Sequence, residues 1–139
     1  MTASDPLDPR LLEPDYPFQR LLGFRMTGWS DGYARFELPL AEGLTNRYGI
    51  PHGGVYASLL DTAMGFAGSW TGDPERRRMV MTLSLTTNFL ARPEGELLLG
   101  EGRRTGGGRS TYFAEGTLTD MAGTLVATGT GAFRYRRGA

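Results

Sequence analysis

Asn46 to Trp70 read NRYGIPHGGVYASLLDTAMGFAGSW, and this stretch decides the architecture. It is the one run long and apolar enough for a major helix, expected over roughly Gly54 to Ser69. Three of its residues are ones that a helix serving only the core would not choose. Gly53 and Gly54 stand at its mouth, where paired glycines cost backbone entropy, and Asp61 interrupts the apolar run between Leu60 and Ala63. His52, the only histidine in the chain, immediately precedes the glycines.

At about 100° per residue, Val55, Tyr56, Leu59, Leu60, Ala63, Met64, Phe66, Ala67 and Trp70 share one broad arc, the expected core face. The opposite arc holds Ala57, Ser58, Asp61, Thr62, Gly65, Gly68 and Ser69, with nothing long among them. A solvated helix face normally carries Lys, Glu, Arg or Gln. Tiny residues around one carboxylate predict instead that something packs closely there: a ligand, a second copy of the chain, or both. The plainer alternative is an ordinary surface acid among residues kept small for packing.

Upstream, residues 1–16 are rich in proline and acids and are expected to form a flexible leader, leaving 17–139 as a single domain. FQRLLGF, after Pro17, suggests one or two helical turns. The period then changes. Phe24 to Thr27 and Tyr33 to Leu40 read as strands joined by the turn Ser30-Asp31-Gly32, with Ala34, Phe36 and Leu38 on one face and Arg35 and Glu37 on the other. Beyond the helix, RMVMTLSLTTNFLA, GELLLGEGRR, STYFAEGTLTD and TLVATGTGAFRYRR are strand-like and bounded by turn residues. Successive strands with short connections are expected to pair antiparallel. The fold class is α+β: one long helix against one long antiparallel sheet.

Composition narrows the function. A chain of 139 residues has room for one core. Fifteen basic and fifteen acidic side chains balance, so no chain-wide field draws nucleic acid or an anionic membrane. Without cysteine there is neither a disulfide framework nor a thiolate nucleophile, and one histidine is too few for a typical zinc centre, so no metal and no cofactor is expected. The first residues lack the basic start and apolar run of a signal peptide, and no stretch reaches membrane-spanning length, which predicts a cytoplasmic protein.

The glycine pair suggests chemistry. At a helix start the first N–H groups have no intrahelical partner and carry the positive end of the macrodipole. Side-chain-free Gly53 and Gly54 let a ligand oxygen approach them, as a polarised carbonyl or an oxyanion would; a tight turn needing unusual backbone angles is the structural alternative. Seven residues of helix put Asp61 on the order of 10 Å from the Gly54 N–H, too far for both to act on one carbonyl carbon. Two copies packed with helices side by side would bring Asp61 of one opposite the glycine amide of the other, giving two equivalent sites in a twofold dimer.

The motif Asn46-x-x-Gly49-x-x-His52-Gly53-Gly54, followed nine residues after the histidine by Asp61 in LLDTAMGFA, resembles the signature of hotdog-fold acyl-CoA thioesterases, in particular the phenylacetyl-CoA thioesterase-like branch. TLSLTTNFLARP, from Thr82 to Pro93, resembles that family's strand after the helix, and Arg109 to Tyr135 its last two strands. The resemblance covers about residues 20 to 136. It implies the hotdog fold, a long central helix wrapped by a curved antiparallel sheet. It also implies sheet-to-sheet dimers often paired into tetramers, active sites at the dimer interface, and hydrolysis of an acyl- or aryl-CoA thioester to free acid and CoA. By this resemblance Asp61 is general base or nucleophile, the Gly54 amide polarises the thioester carbonyl, Asn46 helps position water or carbonyl, and His52 shapes the helix mouth. Thr82 is the candidate for an assisting hydroxyl.

Further residues are candidates for substrate contacts. Tyr48, Tyr56 and Phe66 offer aromatic surface for an acyl or aryl pocket, and Gly53 offers close approach. Arg103, Arg104 and Arg109 flank the TGGG turn, and guanidinium groups suit the phosphates of CoA, although a solvated hairpin tip is the plainer reading. Arg76 to Arg78, after the helix, read as a solvated loop, with contact to phosphate as the alternative. Two other functions use the same features: a noncatalytic acyl-CoA-binding dimer for sensing or storage, and an enoyl-CoA hydratase. An intact Asp61 argues against the first, since a binder gains little from that group in a half-apolar pocket. The second relies on an aspartate and a histidine placed together in a different local pattern.

Overall fold

The structure, a computed structural model, describes residues 7–137. Leader residues 1–6 and the final two residues fall outside the described residues. A 3-10 turn at Pro9–Leu11 leads to helix α1 (Pro17–Leu22) and strands β1 (Arg25–Ser30) and β2 (Tyr33–Pro39). A second 3-10 turn, Glu42–Leu44, precedes helix α2 (Gly53–Ala67), and β3 (Val80–Phe89), β4 (Leu97–Gly107), β5 (Thr111–Thr119) and β6 (Leu125–Tyr135) complete the chain. The six strands form one antiparallel sheet in the order β1-β2-β4-β5-β6-β3, and α2 contacts every strand of it. This is the hotdog architecture: one long helix held in a curved sheet.

Consecutive strands pair where a short turn joins them, as β1 with β2, β4 with β5 and β5 with β6. β3 departs from that expectation. It pairs with β6, while β2 takes β4 as its second neighbour. The reason is the helix between β2 and β3, which removes the hairpin that would have tied those strands together and lets β3 close the far side of the sheet. β3 is thus an edge strand, and it exposes Met81, Leu83 and Phe89.

The core follows the projected helix face. Val55, Tyr56, Leu59, Leu60, Ala63, Met64 and Ala67 are buried, and they meet Ala34, Phe36 and Leu38 of β2. Two glycines let the layers approach this closely. A Cβ on Gly102 of β4 would lie 2.4 Å from the Ala63 carbonyl, and one on Gly68 would lie 2.1 Å from the Tyr112 ring. Tyr112 occupies that gap and donates its hydroxyl to the carbonyls of Met64 (3.0 Å) and Gly65 (2.8 Å), anchoring the end of α2 to β5. Within the described part of the leader, Leu7, Leu11 and Tyr16 pack against this core. Among the described residues no helix is long and apolar enough to cross a membrane.

Candidate active site

Asp61 lies about two turns into α2, on the side turned toward β3. Thr82 Oγ1 on β3 donates to Asp61 Oδ1 at 2.7 Å, so one carboxylate oxygen is held and the other is left for chemistry. The half-buried carboxylate lines a cavity of about 200 Å³ together with Thr62, Phe66, Tyr16, Glu13 and Arg78. For scale, an apolar cavity of about 150 Å³ accepts benzene, so this volume suits a single ring or a short chain.

The cavity wall opposite α2 comes from the leader. Burial pushes the Glu13 carboxyl above its usual range, with Arg77 opposing the shift. Burial likewise raises the Tyr16 phenol, against an opposing hydrogen bond with Thr62; the charge of Asp61 pushes it up further. Both groups are therefore held in their protonated forms more firmly than in water, beside the carboxylate of α2.

At the other end of α2 the mouth is built by His52. Its backbone is extended (φ −64°, ψ 141°), and its Nδ1 accepts the Gly54 N–H at 2.8 Å, an imidazole playing the part of an N-cap. The His52 carbonyl accepts the Val55 N–H at 2.9 Å. The expectation placed on Gly54 meets a competitor here, because that N–H is already donated within the chain. Among the described residues the donor left without an acceptor at the mouth is the N–H of Gly53, and Gly53 itself sits close to Phe89 at the far end of β3: a Cβ on it would come within 3.2 Å of that ring. Asn46 braces the preceding loop by accepting the N–H groups of Tyr48 (2.9 Å) and Ile50 (3.4 Å) through Oδ1.

α2 and β3 run past each other in opposite senses, with Asp61 against Thr82 and Gly53 against Phe89. Asp61 and the glycine mouth are thus brought to the same open edge of the sheet but to opposite ends of it. Tyr48 is 73% exposed with Arg47 over its ring and does not line the Asp61 cavity, and Tyr56 is a core residue whose ring is tilted against Phe89. Phe66 does line the cavity.

The arginines divide. Arg104 pairs with Asp31 at 2.9 Å and Arg103 with Glu101 at 3.4 Å, both on the β2–β4 side of the sheet, and neither lines the Asp61 cavity. Arg109 instead joins Arg134, Arg136 and Arg137 in a groove beyond the end of β3. Arg78, expected as solvated loop, lies over the Tyr135 ring at 3.6 Å and borders both the groove and the Asp61 cavity. Glu13, Tyr16 and Arg78 had no local signal in the sequence, since each reaches the site through a tertiary contact. Among the described residues no cluster of three or more His, Cys, Asp or Glu gathers to hold a metal ion.

A carboxylate braced by a hydroxyl beside a cavity, on a helix wrapped by an antiparallel sheet, makes the Asp61 end of α2 the candidate site of a hotdog-fold protein. The chain belongs to the thioesterase superfamily, whose family model matches residues 48–127. A Halobacterium salinarum protein provisionally named an esterase is 30% identical over 131 residues, covering 88% of this chain and 87% of that one. The solved structure of a conserved Pseudomonas aeruginosa protein shares 28% identity at a TM-score of 0.80, covering 94% of this chain and all of its own. The PaaI protein from the phenylacetic acid degradation operon of E. coli shares the fold, with a TM-score of 0.77 at 20% identity over 88% of this chain and 86% of that one.

Proposed function

We propose that the protein hydrolyses the CoA thioester of a compact acyl or aryl acid, in sites completed by a second copy of the chain. The observation that carries this reading is the Asp61 carboxylate, fixed by Thr82 and opening into a ring-sized cavity. Water donates a proton to Asp61 as its oxygen adds to the thioester carbonyl; the resulting oxyanion is stabilised by the N–H of Gly53 from the partner's helix mouth. Collapse breaks the C–S bond, and the proton returns to the departing thiolate. An aimed backbone donor contributes about 3 kcal/mol in such a transition state, and a placed general base about 10²- to 10⁴-fold.

The exposed edge of β3 supports a composite site, because β3 could pair with its own copy about a twofold axis near its midpoint. That pairing would cover the exposed edge and set the Thr82 end of one strand beside the Phe89 end of the other, and with them Asp61 beside the partner's Gly53. The hydratase alternative is weakened because His52 Nδ1 already accepts the Gly54 N–H as a helix cap, which takes that nitrogen out of acid–base work.

The test is a panel of acyl- and aryl-CoAs mixed with the protein and a thiol-reactive dye. We expect steady thiol release with aryl or short acyl groups and little with long chains. Saturable binding without thiol release would replace hydrolysis by the sensor reading.

A further inference from the structure

Beyond the Asp61 cavity lies an open groove of about 700 Å³, within the usual range for small-molecule sites. The two adjoin, since Arg78 and Met79 border both. The groove gathers five guanidinium groups from three parts of the chain: Arg78 before β3, Arg109 at the β4–β5 turn, and Arg134, Arg136 and Arg137 at the end of β6. No acidic residue lines it. Among the described residues the ion pairs involve Arg10, Arg25, Arg103 and Arg104, and no carboxylate of these residues pairs with the groove's cations. In a chain of zero net charge, five like charges converging on one concavity create a local field that a multiply charged anion neutralises. Arg78 is further fixed by its place over Tyr135, which presets the junction between groove and cavity.

We infer that this groove, and not the Arg103–Arg104 end of the hairpin, receives the phosphates of the nucleotide half of coenzyme A, while the pantetheine arm passes Arg78 into the Asp61 cavity. The identity of the phosphate bearer rests on the thioesterase reading above. A concave groove favours a nucleotide over the broad surface of a carrier protein, whose phosphopantetheine arm bears a phosphate of the same chemistry.

Calorimetry with free coenzyme A and with pantetheine, which lacks the phosphates, tests the site without any hydrolysis. We expect coenzyme A to bind at least tenfold more tightly, with that advantage shrinking at high salt and falling about tenfold for each of Arg109→Gln and Arg136→Gln. Arg25→Gln, which removes a charge at the opposite edge of the sheet, should leave it intact. Equal binding of the two probes, or an advantage indifferent to the groove variants, overturns the inference. So does a preference for an acyl carrier protein over acyl-CoA. In the kinetic arm, the ratio of kcat/KM for a CoA thioester to that for the pantetheine thioester of the same acid should collapse in the groove variants. Tight, arginine-dependent coenzyme A binding without turnover would refute hydrolysis and leave the groove assignment standing. Turnover with an unchanged ratio would do the reverse.

Discussion

The two ends of α2 differ in what they offer. The mouth presents a backbone donor: His52 caps Gly54, which leaves the N–H of Gly53, a residue lying beside Phe89 of β3, without an acceptor among the described residues. The interior half presents an acceptor: Asp61, braced by Thr82 and enclosed by Tyr16 and Glu13. A cavity adjoins each end, one lined by His52, Gly54 and Ser58 and the other by Asp61 and Thr82, and in the proposed reaction the two ends supply different groups. The difference teaches why the helix face between them carries small residues: Ala57 and Ser58 keep the stretch from the mouth to Asp61 low enough for close approach.

The interior end should be the more sensitive. Asp61→Asn is expected to lower kcat by about 10²- to 10⁴-fold with the melting temperature little changed, measured by thiol release and thermal unfolding. Removing the donor at the mouth should cost about 10²- to 10³-fold. Gly53→Pro does so cleanly, because proline suits the first helical position, His52 already has the extended backbone that precedes proline, and no hydrogen bond is lost. The adjoining Phe89 ring must shift slightly to admit it.

Severing the edge between the ends should uncouple them. Leu83→Asp places a charge on the exposed face of β3, and we expect sedimentation to show monomers whose activity falls with the loss of dimer. Thr82→Val keeps the shape and removes the donor to Asp61; about a tenfold drop in kcat is expected, with KM nearly constant. The smallest effect concerns stability. Because burial raises the folded-state pKa of Glu13 above its unfolded value, the folded state holds this proton more firmly. Its contribution favours folding at low pH and is lost as pH rises from the ordinary carboxylate range through the raised value. Glu13→Gln should flatten that slope in urea titrations taken across this pH window.

Much of the frame was legible in the sequence because it is local. The apolar arc of α2 predicted its buried face, and alternation in Ala34, Phe36 and Leu38 predicted the inner face of β2. The turn at Gly32 has the positive φ that its sequence suggested. Asp61 and the glycine mouth stood out because each breaks a local rule. What could not be read depends on contacts between distant segments. Strand alternation does not say that β3 pairs with β6, and composition alone does not bring Tyr16 to Asp61. Nor does the sequence separate Arg104, neutralised by Asp31 from 73 residues away, from Arg109, which has no such partner among the described residues. Nor does it show that the Gly54 N–H has a partner within its own chain, an imidazole turned back to cap the helix.

The central claim, that donor and base come from different chains, has a direct test in subunit exchange. Asp61→Asn and Gly53→Pro proteins, each inactive alone, are mixed, partly unfolded together and refolded, and thiol release is measured. With composite sites, a mixed dimer regains one intact site, so random pairing should restore about a quarter of wild-type activity per dimer. Mixed dimers that form but remain as inactive as their parents would contradict the claim, because every single-chain site would then carry one of the two defects.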